Sequence, residues 1–199
     1  MREVEPKTLV LFDFDGTITK GDTFVSFIVF SIGKYQSIML FMRFFFDIIK
    51  MQFGMSDPGK VKEQIFKFAF IGKSKVEMES KGKIFIQWLY GNSNLNEEIV
   101  AKIHNHKKKN HEVCIVSASI DAWVRAFCEN IEVDCLCTEL EYLNNSFTGN
   151  FYTPNCNYEE KVNRILAKYD LNKFKEIIAY GNSKGDEAMF GLASTKIKI

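Results

Sequence analysis

One stretch limits what this chain can fold into more than any other: Leu9-Val10-Leu11-Phe12-Asp13-Phe14-Asp15-Gly16-Thr17, an apolar run that opens onto two acids, a glycine and a threonine. Strand formers fill its first half, so Asp13 and Asp15 are expected where a buried strand emerges into a loop. In an open α/β sheet the carboxyl end of a central strand is where ligands bind, which makes both acids site candidates. Residues i and i+2 of a continuous strand share one face. Two like charges so placed, with no lysine or arginine adjacent in sequence, are costly unless a cation or a shared proton intervenes. Asp-Gly is also a common turn dipeptide, and the residues alone fit equally well with acids that only cap backbone groups.

Downstream of residue 91 the pattern alternates strand and helix. Val113–Val116 reads as a strand, with Ser119 as the cap of a helix beginning near Asp121. Val133–Thr138 reads as another strand, and Leu140–Tyr142 with Phe147–Phe151 as a hairpin around Asn144-Asn145. Asn157 and Glu160 have the spacing of a capping box, followed by Val162, Ile165 and Leu166 at helical period. Ile177–Tyr180 is a further strand and Lys196–Ile199 a last one. Such alternation argues for an α/β fold, a parallel Rossmann-like sheet flanked by helices.

Residues 21 to 91 interrupt that pattern. Thr23–Phe53 holds much of the apolar excess of a chain that is 46% hydrophobic with 19 phenylalanines. Neither half reaches the ~18 apolar residues of a bilayer span, and Gly33–Ser37 divides them, so two antiparallel helices joined near Gly33 are expected. Asp57-Pro58 gives a helix start, and Ser74 with Glu77 another. These residues read as a helical cap (21–91) inserted into an α/β core made of 1–20 and 92–199. The apolar helices must bury against one another, against a second copy in a homodimer, or against a bilayer interface as a peripheral membrane contact.

The net charge of +1 gives no global pull toward nucleic acid. The basic run His104–His111 lacks stacking aromatics and reads as a solvated helix end, so no nucleic-acid partner is expected. Five cysteines without a CxxC pair argue against a disulfide framework or zinc site, and the three histidines read as surface residues. The acidic start Met1–Pro6 has no signal-peptide core, from which a cytoplasmic location is expected.

The string Asp13-Phe14-Asp15-Gly16-Thr17 resembles the DxDGT motif of the haloacid dehalogenase superfamily of phosphotransfer enzymes. Its companion motifs follow in order: a strand ending in Ser117, a lysine near a helix start at Lys161, and an acidic loop at Gly181-Asn182-Ser183-Lys184-Gly185-Asp186. The resemblance covers nearly the whole chain. A helical cap directly after the first motif is similar to the branch containing phosphoserine phosphatases and phosphatidylglycerophosphate phosphatases.

The resemblance implies that Asp13 is the nucleophile of a phosphoaspartyl intermediate and Asp15 the general acid and base. It implies that Ser117, the backbone of Ala118, and Lys161 hold the phosphate, and that Mg²⁺ is the cofactor, bound by Asp13, the Asp15 carbonyl, Asn182 and Asp186. Asn182 departs from the pattern, because an aspartate is expected there and an amide brings one less negative charge to the metal. Asp22 stands where phosphoserine phosphatases resemble one another in placing a glutamate for the substrate amine. The expected substrate is a phosphorylated small molecule or a lipid phosphate, the apolar cap favouring the amphiphilic kind. The alternatives are a degenerate phosphate-ligand-binding or membrane-associated protein, and a phosphotransferase of the same fold.

Overall fold

A computed structural model describes residues 7–199; the acidic start on which the location expectation rests lies outside them. Lys7–Phe12 form β1, followed by a tight turn at Phe14–Ile18. Five helices come next: α1 (Thr23–Ile32), α2 (Lys34–Arg43), α3 (Phe45–Gln52), α4 (Pro58–Phe70) and α5 (Lys75–Gly91). The chain continues through α6 (Glu97–Lys108), β2 (Glu112–Ile120), α7 (Asp121–Ile131), β3 (Asp134–Thr138) and the hairpin β4 (Leu140–Leu143) and β5 (Ser146–Phe151). It closes with α8 (Glu159–Lys168), β6 (Phe174–Gly181), α9 (Glu187–Leu192) and β7 (Thr195–Lys198).

The main sheet is parallel throughout, in the order β3-β2-β1-β6-β7. β1 is central, and the strands that follow it lie on opposite sides of it. That change of direction opens a crevice at the carboxyl end of β1, where Asp13 begins. Side-chain alternation along β1 feeds two cores. Val10 and Phe12 join a cluster shared with the inserted helices, including Phe66, Phe85 and Trp123, whereas Leu9 and Leu11 join Ile165, Met189 and Phe190 on the other face. Burying side chains of this size stabilises the fold by about 1.5–3 kcal/mol each. The register of β1, and with it the position of Asp13, is therefore fixed.

Several local expectations hold in detail. Asp57 Oδ1 accepts the Lys60 N–H and Ser74 Oγ accepts the Glu77 N–H, so both helix starts are capped as expected. Asn144 and Asn145 both take positive φ, 50° and 62°, the pairing a two-residue hairpin turn needs.

Four readings are corrected. The second apolar half, expected as one helix, breaks at Phe44 into α2 and α3, which lets Phe41 and Phe44 as well as Ile48 and Met51 reach one core cluster. Ser119 does not cap α7; its hydroxyl is committed elsewhere. Asn157 and Glu160 form no capping box, since Asn157 offers Glu160 only its backbone carbonyl while its side chain packs against Gly185. His106 is not a free surface residue: its two ring nitrogens lie 3.0 Å from His111 Nδ1 and 3.0 Å from the Tyr180 hydroxyl.

α5 crosses the start of α7 at Gly82, where a Cβ would stand 1.7 Å from the Ala122 carbonyl oxygen. Backbone, unlike a side-chain tip, cannot swing away. Gly82→Ala is expected to cost about 2–3 kcal/mol by overpacking, despite the better helix propensity of alanine, as read from the urea midpoint.

Candidate active site

The site is assembled where β1, β2 and β6 end. The Asp13 N–H donates to the Tyr180 carbonyl at 2.9 Å, extending the ladder by one residue before the chain turns away. Gly16 takes φ +72°, and the Thr17 hydroxyl donates back to Asp13 Oδ2 at 3.2 Å. A side chain at position 16 would collide with the Asn182 carboxamide, its Cβ only 2.1 Å from Nδ2. The glycine thus lets the loop after β6 close onto the loop after β1.

The cation that two neighbouring acids require comes from far along the chain. Lys161, in the first turn of α8, is 1% exposed, and its ammonium donates to Asp13 Oδ1 and to Asp186 Oδ1, both at 2.6 Å. This excludes the plain surface lysine that its place on an amphipathic helix allowed. Burial alone would push the Lys161 pKa down, but the two carboxylates outweigh it and hold it above the ordinary lysine value.

The two acids around that ammonium differ. Burial pushes Asp13 up to about 6 against the pull of Lys161, with Asp186 and Asp15 adding to the rise. Burial also raises Asp186, yet Lys161 and Ser183 outweigh it and bring it below the usual range. Burial and the neighbouring carboxylates weigh on Asp13, and the two groups also differ in their donors. Asp186 Oδ2 accepts from the Asn182 N–H, the Ser183 N–H and the Ser183 hydroxyl, whereas among the described residues the Asp13 carboxylate has only Thr17 besides Lys161. Asp186 is thereby an anchored anion and Asp13 an under-compensated one.

Asp15 lies in a separate cradle. Ser119 Oγ donates to its Oδ2 at 2.6 Å, while the Thr23 N–H and hydroxyl meet its Oδ1 at 2.7 and 2.5 Å. Trp123 Nε1 donates to Thr23 Oγ1 at 2.9 Å, tying α7 to the first turn of α1. Burial raises the Asp15 pKa, with the charge of Asp22 adding to it against these hydrogen bonds. Ser119, Thr23 and Trp123 around Asp15, and Thr17 on Asp13, are the residues the sequence reading missed. Ser119 looked like a helix cap, and nothing in its local sequence indicated that a β2 irregularity between Ser117 and Ile120 carries it to Asp15.

Ser117 is fully buried at the end of the regular β2 pairing, its Oγ accepting the Ser119 N–H at 2.9 Å, and the Ala118 carbonyl takes the Thr138 hydroxyl at 3.1 Å. Asp22 caps α1, its Oδ1 accepting from the Phe24 and Val25 N–H groups. The structure therefore brings Asp13, Lys161 and Asp186 into direct contact and places Asp15 beside them. Asn182 packs at the rim against Gly16. An 820 Å³ surface hollow at Lys107, Arg125, Cys128 and Asp134 contains none of these groups.

For a divalent cation, the donors on offer are the Asp13 carboxylate, the Asp15 carbonyl and the Asn182 amide, with Asp186 behind them. These are hard oxygens of the kind Mg²⁺ takes, and the Gly16 cradle that seats Asn182 against the first loop is compatible with such a site. Among the described residues no cluster of three His, Cys, Asp or Glu side chains is arranged as a metal site, so the amide and a backbone carbonyl would have to contribute.

The family of haloacid dehalogenase-like hydrolases matches residues 10–190. The protein CicA of Caulobacter vibrioides is 28% identical over 194 residues, 94% of this chain and 84% of that protein. A protein of unknown function from Bordetella pertussis Tohama I has a similar structure, with a TM-score of 0.79, 18% identity, and coverage of 96% of this chain and 89% of the other. A substrate-bound phosphoserine phosphatase superposes with a TM-score of 0.68 at 16% identity, covering 98% of this chain and 87% of that one. At these identities the solved structures establish a shared fold.

Proposed function

Because this chain belongs to the haloacid dehalogenase-like hydrolase family, we propose that it hydrolyses phosphate monoesters through a phosphoaspartyl intermediate on Asp13. The observation that carries the reading is the buried triad in which one ammonium serves two carboxylates, leaving Asp13 the less compensated of the two. Attack by that carboxylate forms a mixed anhydride and splits one slow hydrolysis into two easier transfers, the negative charge moving to phosphoryl oxygens that the surrounding donors hold.

In the first half-reaction an Asp13 oxygen attacks phosphorus, the bond to the leaving oxygen breaks, and Asp15 gives that oxygen its proton. In the second, Asp15 takes a proton from water, the water oxygen attacks phosphorus, and Asp13 departs with its carboxylate restored. The raised pKa of Asp15 suits it to hold a proton for delivery. Ser117, the Ala118 backbone and Lys161 bind the phosphate oxygens in this reading. Asp13, the Asp15 carbonyl, Asn182 and Asp186 would hold Mg²⁺, which supplies positive charge where two anions meet. The helices of 21–91 act as the cap over a core of 1–20 and 92–199, excluding water from the crevice. Asp22, with Oδ1 spent on the α1 cap, retains Oδ2 for a cationic group on the leaving side.

The test is phosphate release from p-nitrophenyl phosphate and from a panel holding phosphoserine, sugar phosphates and phosphatidylglycerophosphate, with and without Mg²⁺. Metal-dependent release supports the reading. Asn182, in place of the usual acid, favours a second reading, a protein that binds phosphorylated ligands without turnover. Tight binding with no release from any ester would establish that instead.

Replacing Asp15 by asparagine keeps an acceptor for Thr23 and turns the Ser119 contact into one in which the amide donates to the hydroxyl, but removes the proton. The loss of kcat is expected to be about 10³-fold for an alkyl phosphate, within the usual range for general acid catalysis, and far smaller for p-nitrophenyl phosphate, whose leaving group needs little protonation. Equal losses on both substrates would remove Asp15 from the acid role.

A further inference from the structure

We infer that the outer face of α2 and α3 is a docking surface for the interface of a bilayer carrying anionic phospholipids. This goes beyond the hydrolase reading and does not rest on it.

The segment 34–55 is apolar on two faces, and the fold covers only one. Inward, Phe41, Phe44, Ile48 and Met51 pack against the main core cluster. Outward, Tyr35, Met39, Met42, Phe46, Phe53 and Met55 are each more than half exposed, Phe46 at 74% and Phe53 at 75%. α3 buries no residue completely. So many large apolar side chains along two successive helices and the turn that follows them exceed the scattered exposed leucine or valine normal for a protein surface. Aromatic and methionine side chains beside cations are the composition of helices that lie in the boundary between headgroups and acyl chains.

Charge selects the occupant. Lys34, Arg43 and Lys50 are exposed on the same two helices, against a single acid, Asp47. Arg43 is held at the edge of the patch, its guanidinium 5.0 Å from the ring centre of the exposed Phe68 of α4. A second copy of this chain docking here about a two-fold axis would bring two sets of like charges together around the apolar centre. Anionic headgroups would instead pair with each cation while its stem stays in the apolar layer. Among the described residues no helix is long and apolar enough to cross a membrane, so contact through this face would lie in the interface plane.

Flotation with vesicles of phosphatidylcholine, with or without phosphatidylglycerol, tests the inference on the whole protein. The protein is expected to float with the anionic vesicles and to stay behind with phosphatidylcholine alone, and high salt should release it. Phe46→Ser with Phe53→Ser should reduce binding at least tenfold. Lys34→Glu with Lys50→Glu, at two exposed positions that threaten no packing, should reduce it by about fivefold or more for each charge removed. Both double variants should keep the wild-type circular dichroism spectrum and any activity on a soluble ester. Absence of flotation at every composition, or flotation that neither pair of substitutions weakens, overturns the inference. So does a stable dimer in sedimentation that the Phe46 and Phe53 substitutions dissociate. Asp13→Asn protein should float like the wild type, which separates failure here from failure of the catalytic reading.

Discussion

Asp13→Asn protein should release phosphate at least about 10⁴-fold more slowly than wild type on every ester the wild type accepts, the scale seen when a covalent nucleophile is removed. It should do so while remaining at least as stable. Wild type places one ammonium against two buried carboxylates, so the cluster carries one uncompensated negative charge. Asparagine leaves Lys161 and Asp186 as a balanced pair and still offers Lys161 an oxygen. The stability gain at neutral pH is expected to be about 1 kcal/mol in metal-free buffer, the usual sign when a strained functional group is neutralised.

Its pH dependence follows from linkage. The folded pKa of Asp13, about 6, lies above the ordinary value of 3.8, so between those limits the native state binds more protons than the unfolded one. Wild-type stability therefore falls as pH rises through that window, and the variant lacks this contribution. Urea midpoints at pH 4 and pH 7, taken as rough limits of the window, should show the two proteins converging at the lower pH. A variant that unfolds more readily than wild type at pH 7 would mean Asp13 is structural, and a variant that retains turnover would remove it as nucleophile.

Lys161→Met should have the largest effect on folding. Methionine fills similar volume, but Asp13 and Asp186 are then left buried without their cation. Breaking a buried pair from one side typically costs about 3–5 kcal/mol. One of the carboxylates must then take up a proton, so the loss should shrink as the pH is lowered. Adding Asp13→Asn to Lys161→Met removes one orphaned charge and should recover part of the stability, a non-additivity a double-mutant cycle would measure. An additive double variant would show that the three groups do not act as a unit. Guanidinium does not substitute well for this compact ammonium, so Lys161→Arg should also be destabilised.

Much of the fold was legible because its signals are local. The run Leu9–Phe12 could be only a buried strand, and its two-residue period sends Val10 and Phe12 to one core and Leu9 and Leu11 to the other. Asp57-Pro58, Ser74 and Asn144-Asn145 mark helix starts and a hairpin turn through the hydrogen bonds of their own neighbourhood. Where the expected local bond was not the one formed, the reading failed. Ser119 had the spacing of a cap and Asn157 that of a capping box, yet each side chain is engaged by a residue remote in sequence. The α2–α3 break was equally hidden, since no proline or glycine marks Phe44.

Composition and pattern alone determined that Asp13 and Asp15 sit at a strand end in an α/β sheet interrupted by a helical insertion. A local string of residues sets strand register and many helix starts, and Leu9–Phe12, Asp57-Pro58 and Ser74 were such strings. Only the tertiary structure decided which charge answers which. Lys161 reaches Asp13 across 148 positions and Asp186 across 25, and Ser119 reaches Asp15 across 104. The strength of those pairings depends on the exclusion of water, which comes from the packed sheet and helices together and from no single segment.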